Sequence, residues 1–240
     1  MSGHSKWHNI QAKKGKTDAQ RAKIFTKMAR EIMVIVKEGG SNPAANSRLA
    51  DAIAKAKAAN VPNDNIERAI KKAAGAGDGA NYEHNIYEGY GPGGVAVVVE
   101  TLTDNKNRTA GDLRHYFDKF GGNLGTSGSV LWQFKQCGVI VVDKAKADED
   151  ELMMAALDAG ADDFNAEDDA YEIITSPENF SAVRQALEEA GYEFETAEIT
   201  RLADNYVTLT DENDIKFMNL LLDALDDNDD VQNVAHNWDE

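Results

Sequence analysis

Between Asp18 and Lys37 the apolar residues Ile24, Phe25, Met28, Ile32, Ile35 and Val36 recur at three- and four-residue spacing and fill one helical stripe. Lys23, Lys27, Arg30 and Lys37 project to the opposite side, so the pattern predicts a helix with its apolar face inward and a basic face outward. Gly39-Gly40 closes it, and Asn42-Pro43 offers a cap and first-turn proline for a second helix bearing Leu49 and Ile53. After Pro62, Asn63 or Asp64 caps a third helix with Ile66 and Ile70, running to Gly75. Three alanine-rich helices of this length make a small bundle.

Gly75 to Asn81 reads as a linker, and beyond it the grammar changes to alternating strands and helices. Val95–Leu102 is a predicted strand. Thr109 with Asp112 reads as a capping box for a helix bearing Leu113, Phe117 and Phe120, closed by Gly121-Gly122. Ser129–Lys135 is the next predicted strand. A second set follows: strand Val139–Val142, helix Asp148–Ala159, strand Tyr171–Thr175, helix Pro177–Ala190 and strand Tyr192–Ile199. The tail adds strand Tyr206–Leu209, helix Asp211–Leu225 and strand Val231–His236. That tail is too short to fold alone. Its βαβ is expected to complete the βαβ of residues 95–136 into a ferredoxin-like sheet, which makes residues 138–200 an insertion. The expected class is therefore α+β: an N-terminal three-helix domain (1–78), a discontinuous ferredoxin-like domain (79–137 plus 201–240), and an inserted α+β domain (138–200).

Charge changes the picture more than composition does. The formal net charge of the 240 residues is -17, yet residues 1–78 hold 15 Lys/Arg against 7 Asp/Glu, a net of +8. Residues 79–240 hold 10 Lys/Arg against 35 Asp/Glu, a net of -25. The opening stretch "SGHSKWHNIQAKKGK" contains no acid at all. Such an asymmetry points to one end that faces a polyanion and a body that limits how much polyanion is wrapped. The single cysteine, Cys137, excludes an intrachain disulfide and fits a reducing cytosol. No apolar run approaches a membrane span, and no secretory signal is read, so the expectation is a cytoplasmic protein with no membrane partner.

Motifs for catalysis fail on context. "GYGPGG" matches G-x-G-x-x-G, but it leads into the strand "VAVVVETL" where a dinucleotide site requires a helix. "DDNDD" (Asp226–Asp230) opens like a calcium loop but has Val231 at the turn glycine and Asn237 at the bidentate glutamate. "GTSGS" lacks the closing glycine of a nucleophile elbow. The five histidines form no H-E-x-x-H and no acid/base pair stands out, so neither an enzyme nor a cofactor or metal is expected.

What remains is binding. Lys6, Lys13, Lys14, Lys16, Arg21, Lys23, Lys27 and Arg30 are candidate phosphate contacts, and Trp7 interleaves among them as a candidate stacking residue. Lys106 and Arg108, in "DNKNRT" at a helix start, form a second candidate phosphate site. The competing reading makes the acidic α+β body a protein-interaction scaffold without direct nucleic-acid contact.

"GHSKW" (Gly3–Trp7), "KIFTK" (Lys23–Lys27), "YEGYGPGG" (Tyr87–Gly94), "DNKNRT" (Asp104–Thr109) and "GGNLGTSGSV" (Gly121–Val130) together resemble the YebC/PmpR family. Gln20 and Ala22 depart from a commoner Lys and Gly of that pattern. The resemblance implies a helical domain and two α+β domains, one interrupting the other. It also implies a non-enzymatic regulator of gene expression: a DNA-binding transcriptional regulator, or a ribosome-associated factor that meets ribosomal RNA or tRNA and eases translation through proline-rich stretches. The lysine-rich face suits phosphates better than base edges, and no helix-turn-helix with base-reading residues is seen.

Overall fold

The computed structural model describes residues 18–75 and 81–239, with side chains described from residue 22 onward. Lys6, Trp7, Lys13, Lys14 and Lys16 lie outside the described residues, and Arg21 is placed only as a position on the first helix.

Helices α1 (Asp18–Gly39), α2 (Ser47–Ala58) and α3 (Asn63–Ala74) form the predicted bundle. Ile32, Ile35 and Val36 of α1 pack on Leu49, Ala52 and Ala56 of α2 and on Ile66 and Ala69 of α3. The cap of α2 is Asn46 rather than Asn42. Its side-chain oxygen accepts from the Leu49 N–H (3.2 Å) while its amide donates to the Gly40 carbonyl (2.9 Å), so one residue satisfies the end of α1 and the start of α2. Asn42 instead holds a local turn through the Ala44 N–H (3.1 Å).

The first sheet begins with a strand that the sequence pattern did not signal, β1 (Glu83–Tyr90). "EHNIYEGY" has one apolar-rich edge only, and buries little of its length. It pairs antiparallel with β2 (Ala96–Thr103) along its full length, from Glu83 opposite Thr103 to Tyr90 opposite Ala96. The intervening glycines turn the hairpin with Gly93 and Gly94 at φ 64° and 79°, a region that disfavours any side chain. Helix α4 (Lys106–Lys119) and the two-residue β3 (Asn123–Leu124) follow.

The second sheet contains β4 (Phe134–Asp143), α5 (Glu149–Asp158), β5 (Asp163–Ala166), β6 (Ala170–Thr175), α6 (Phe180–Glu189) and β7 (Thr196–Ala203). Its order β5-β6-β4-β7, antiparallel throughout, is the complete βαββαβ arrangement of a ferredoxin-like unit. The chain then returns through β8 (Val207–Thr208), α7 (Glu212–Asp227), β9 (Val231–His236) and β10 (Trp238–Asp239). Strand β9 completes the first sheet, ordered β3-β1-β2-β9.

The class is thus the expected one, a helical bundle followed by α+β units, with three further local differences. The strand foreseen at Ser129–Lys135 is a short 3₁₀ turn at Leu131–Gln133, because the Glu88 carboxylate takes the backbone N–H groups of Gly128, Val130 and Leu131 that a ladder would need. Strand β4 starts at Phe134 and pairs wholly within the second sheet, across the 137/138 position where the sequence reading divides the two units. The tail strand at Tyr206–Leu209 shrinks to β8, which pairs in parallel with β10. The first sheet therefore takes its remaining long strand from the β1–β2 hairpin rather than from the tail.

Strand β2 reads as a continuous apolar run because it is covered on both faces. Val97 and Val99 face Leu113 and Phe117 of α4 and Met218, Leu221 and Leu225 of α7. Ala96 and Val98 face Val130, Phe134, Ala203 and Ala235, where the second sheet joins the first. Among the described residues no helix is long and apolar enough to cross a membrane.

Candidate nucleic-acid interface

The basic side of α1 does not face solvent along its whole length. Lys23 Nζ lies 2.8 Å from Asp227 Oδ1 and donates to the Asp227 carbonyl (3.2 Å). Lys27, only 7% exposed, donates to the Asp226 carbonyl at 2.6 Å. Arg30 Nη1 is 2.8 Å from both Asp230 Oδ1 and the Asp229 carbonyl. The acidic run at the end of α7 therefore receives the cations that the helical pattern placed outward. The physical reason is twofold: the last carbonyls of α7 lack intrahelical partners, and the negative end of its dipole is reinforced by four aspartates. This corrects the expectation of an open basic face at Lys23, Lys27 and Arg30.

Asp230 is the centre of the joint. It is 4% exposed and accepts from Arg108 Nη2 (2.7 Å), Thr109 Oγ1 (2.8 Å) and Thr103 Oγ1 (3.1 Å), besides Arg30. Burial by itself would raise its pKa, but the hydrogen bonds from Arg108, Thr109, Arg30 and Thr103 outweigh that and hold it below the ordinary aspartate value. Arg108 is thus tied to Asp230 and, at 2.9 Å, to Asp104 although its side chain is 46% exposed, and Lys106 beside it is exposed outside the joint. The start of α4 also differs from the predicted capping box. Asn105 caps it by accepting from the Arg108 N–H (3.1 Å), while the Thr109 hydroxyl donates within the joint instead of capping.

The bundle is tied to the second sheet by polar contacts as well. Lys55 lies 3.4 Å from Glu31 and 3.5 Å from Glu198 of β7; burial opposes its charge, but the two carboxylates hold its pKa above the ordinary lysine value. Arg184 of α6 is 2.8 Å from Asp51 of α2 and 2.6 Å from Glu188, and Ser181 donates to Asp51. Sequence reasoning missed Asp230, Glu88 and the Asp51–Arg184 pair. A signal existed for the first: a dense acidic run in the same chain as an over-basic helix.

Glu88, on β1, organises the glycine loop. Its two oxygens accept from the backbone N–H groups of Gly128 (2.6 Å), Val130 (2.9 Å) and Leu131 (2.7 Å). Burial pushes its pKa up, yet those three donors and the Arg201 charge bring it below the ordinary glutamate value.

The N-terminal part, residues 5–76, matches the model of the TACO1/YebC protein N-terminal domain, and residues 82–238 match the model of the TACO1/YebC second and third domain. The chain belongs to the TACO1/YebC family. A relative from Acetivibrio thermocellus is 62% identical over 239 residues, covering 99% of each chain. One from Clostridium beijerinckii is 58% identical over 246 residues, covering both chains in full. Both bear the name "Probable transcriptional regulatory protein". A conserved hypothetical protein of Aquifex aeolicus, known from a crystal structure, superposes with a TM-score of 0.87 at 46% identity, over 98% of this chain and 97% of its own.

Proposed function

We propose that the chain is a nucleic-acid-binding regulator of gene expression that meets its target through the basic arm, not through the inner side of α1. The observation that carries this reading is the segregation of charge: an acid-free opening stretch precedes a helix whose own cations Lys23, Lys27 and Arg30 are already paired with Asp226–Asp230. Lys6, Lys13, Lys14, Lys16 and Arg21 are the phosphate contacts and Trp7 stacks on a base, with Lys106 as an outlying contact. The regulator names of the relatives agree with this class.

The target is double-stranded DNA or structured RNA, including ribosomal RNA and tRNA on the ribosome, and one experiment separates them. Lysate is sedimented through sucrose at low and moderate salt with the wild type and with a Lys13→Glu, Lys14→Glu, Lys16→Glu variant. Co-migration of the wild type with ribosomes, with the variant left at the top, assigns the arm to RNA. If both stay at the top, gel-shift titration with promoter DNA decides. Failure to bind either polyanion overturns the proposal and leaves the acidic body as a protein scaffold.

A further inference from the structure

Trp132 is 73% exposed, whereas Trp238 is 5% exposed in the core. A solvent-facing tryptophan by itself is unremarkable in a loop, but this one is fixed. Its indole Nε1–H donates to the Ser129 carbonyl at 3.2 Å, and the hydroxyl of Tyr90, itself 38% exposed, donates to the same carbonyl at 3.3 Å. Two exposed rings therefore share one anchor. The anchor does not drift: Glu88 holds the N–H groups on both sides of Ser129, the Ser129 N–H donates to the Thr126 carbonyl (3.1 Å), and the Gly125 N–H donates to the Glu88 carbonyl (2.7 Å). Rings held this way lose little freedom when something packs on them.

The electrostatic setting is equally particular. The chain has 42 Asp and Glu, yet none falls among the 24 residues from Lys119 to Val142, the longest acid-free stretch of the sequence. Lys119 and the exposed Lys135 lie in it, and the loop around the rings is Gly, Asn123, Thr126 and Ser127. Asp204 approaches the turn through its backbone N–H on the Gln133 carbonyl (2.9 Å). A protein-docking site would be expected to surround such rings with contiguous apolar surface. Polar, glycine-rich rims on a segment with no acid of its own suit a base on a polyanionic strand, the nearby Glu88 carboxylate being engaged by three backbone N–H groups.

We propose that Trp132 and Tyr90 form a stacking platform for an unpaired nucleobase of a single-stranded segment. The platform rests on the nucleic-acid reading above and adds a second contact on the α+β body, separate from the arm. The test uses the full chain with Trp7→Phe, which leaves Trp132 as the exposed indole beside the buried Trp238. Fluorescence is titrated with oligo(U), with oligo(dT), with a duplex, and with an abasic oligonucleotide of equal length. The expected result is quenching by single strands and none by the abasic strand. Trp132→Ala is expected to weaken single-strand binding about 5- to 150-fold and leave abasic binding unchanged, and Trp132→Phe to restore part of it. Preference for oligo(U) or oligo(dT) names RNA or DNA as the source of the base. Unchanged single-strand binding by Trp132→Ala overturns the platform alone, as does loss of a protein partner with oligonucleotide binding intact. Absence of binding to every probe by the wild type overturns the nucleic-acid reading as well.

Discussion

Asp230→Ala destabilises the folded chain by about 3–5 kcal/mol at neutral pH, chiefly the cost of leaving the largely buried Arg30 and the buried hydroxyls of Thr103 and Thr109 without their shared acceptor. Two guanidinium groups, Arg30 from α1 and Arg108 from α4, lose a partner at once, as do the hydroxyls of Thr103 and Thr109. Loss of one partner is worse than loss of the whole network, because the Arg30 charge and the two hydroxyls stay desolvated, whereas the half-exposed Arg108 is rehydrated and adds little. The neighbouring exposed pair gives the control: Asp227→Ala, which removes the Lys23 contact, costs under about 1 kcal/mol. Urea unfolding of both variants checks the contrast. The pH dependence follows from the depressed pKa of Asp230. Its contribution is fully present above the ordinary aspartate value, and is lost as pH falls through the lower folded value. The wild type therefore loses stability on acidification over that range, and Asp230→Ala loses less.

Glu88→Ala has the second largest effect, about 2–4 kcal/mol, and it is local first. Three backbone N–H groups at Gly128, Val130 and Leu131 lose their acceptor; that of Val130 is buried and worth roughly 1–3 kcal/mol when left unpaired, and those of Gly128 and Leu131, nearer to solvent, cost less. The loop relaxes toward water, so the total is less than three full penalties. Hydrogen exchange at those amides is expected to accelerate before any change in the helical bundle, and Glu88→Gln is expected to fall between wild type and alanine. Equal exchange rates in wild type and Glu88→Ala would show that the loop is held by something other than this carboxylate.

Much of the fold was legible because its elements obey simple periods. The α1 stripe, the apolar β2 run, the α5 and α7 helices and β9 all announce themselves by spacing or by caps such as Asp148 and Asp211. What escaped was held by long-range partners. Strand β1 is mostly polar and exists because β2 offers it an edge, and β5 pairs with β6 through only four residues. The stretch after Ser129 alternates like a strand, but a single carboxylate 40 or so residues earlier in the chain captures its N–H groups. The site was partly legible for the same reason. Helical periodicity put Lys23, Lys27 and Arg30 correctly on the side away from the bundle core, yet it is blind to the acidic turn that a later helix brings there. "DDNDD" failed as a metal loop on its own residues, and its aspartates serve instead as anchors for the helical unit.

The pairing of the inner cations leads to a division of labour that one titration resolves. Binding of the full chain to a labelled nucleic acid is followed by anisotropy across salt concentrations, for the wild type, for Lys13→Gln/Lys14→Gln/Lys16→Gln and for Lys23→Gln. Five arm cations predict a log–log slope of about -4 to -5 on duplex DNA, at roughly 0.9 per phosphate contact. The triple variant flattens it by about 3, and Lys23→Gln leaves it unchanged, because that lysine already faces Asp227. A wild-type slope near zero, or a Lys23→Gln slope as flat as that of the triple variant, would contradict the assignment of binding to the arm.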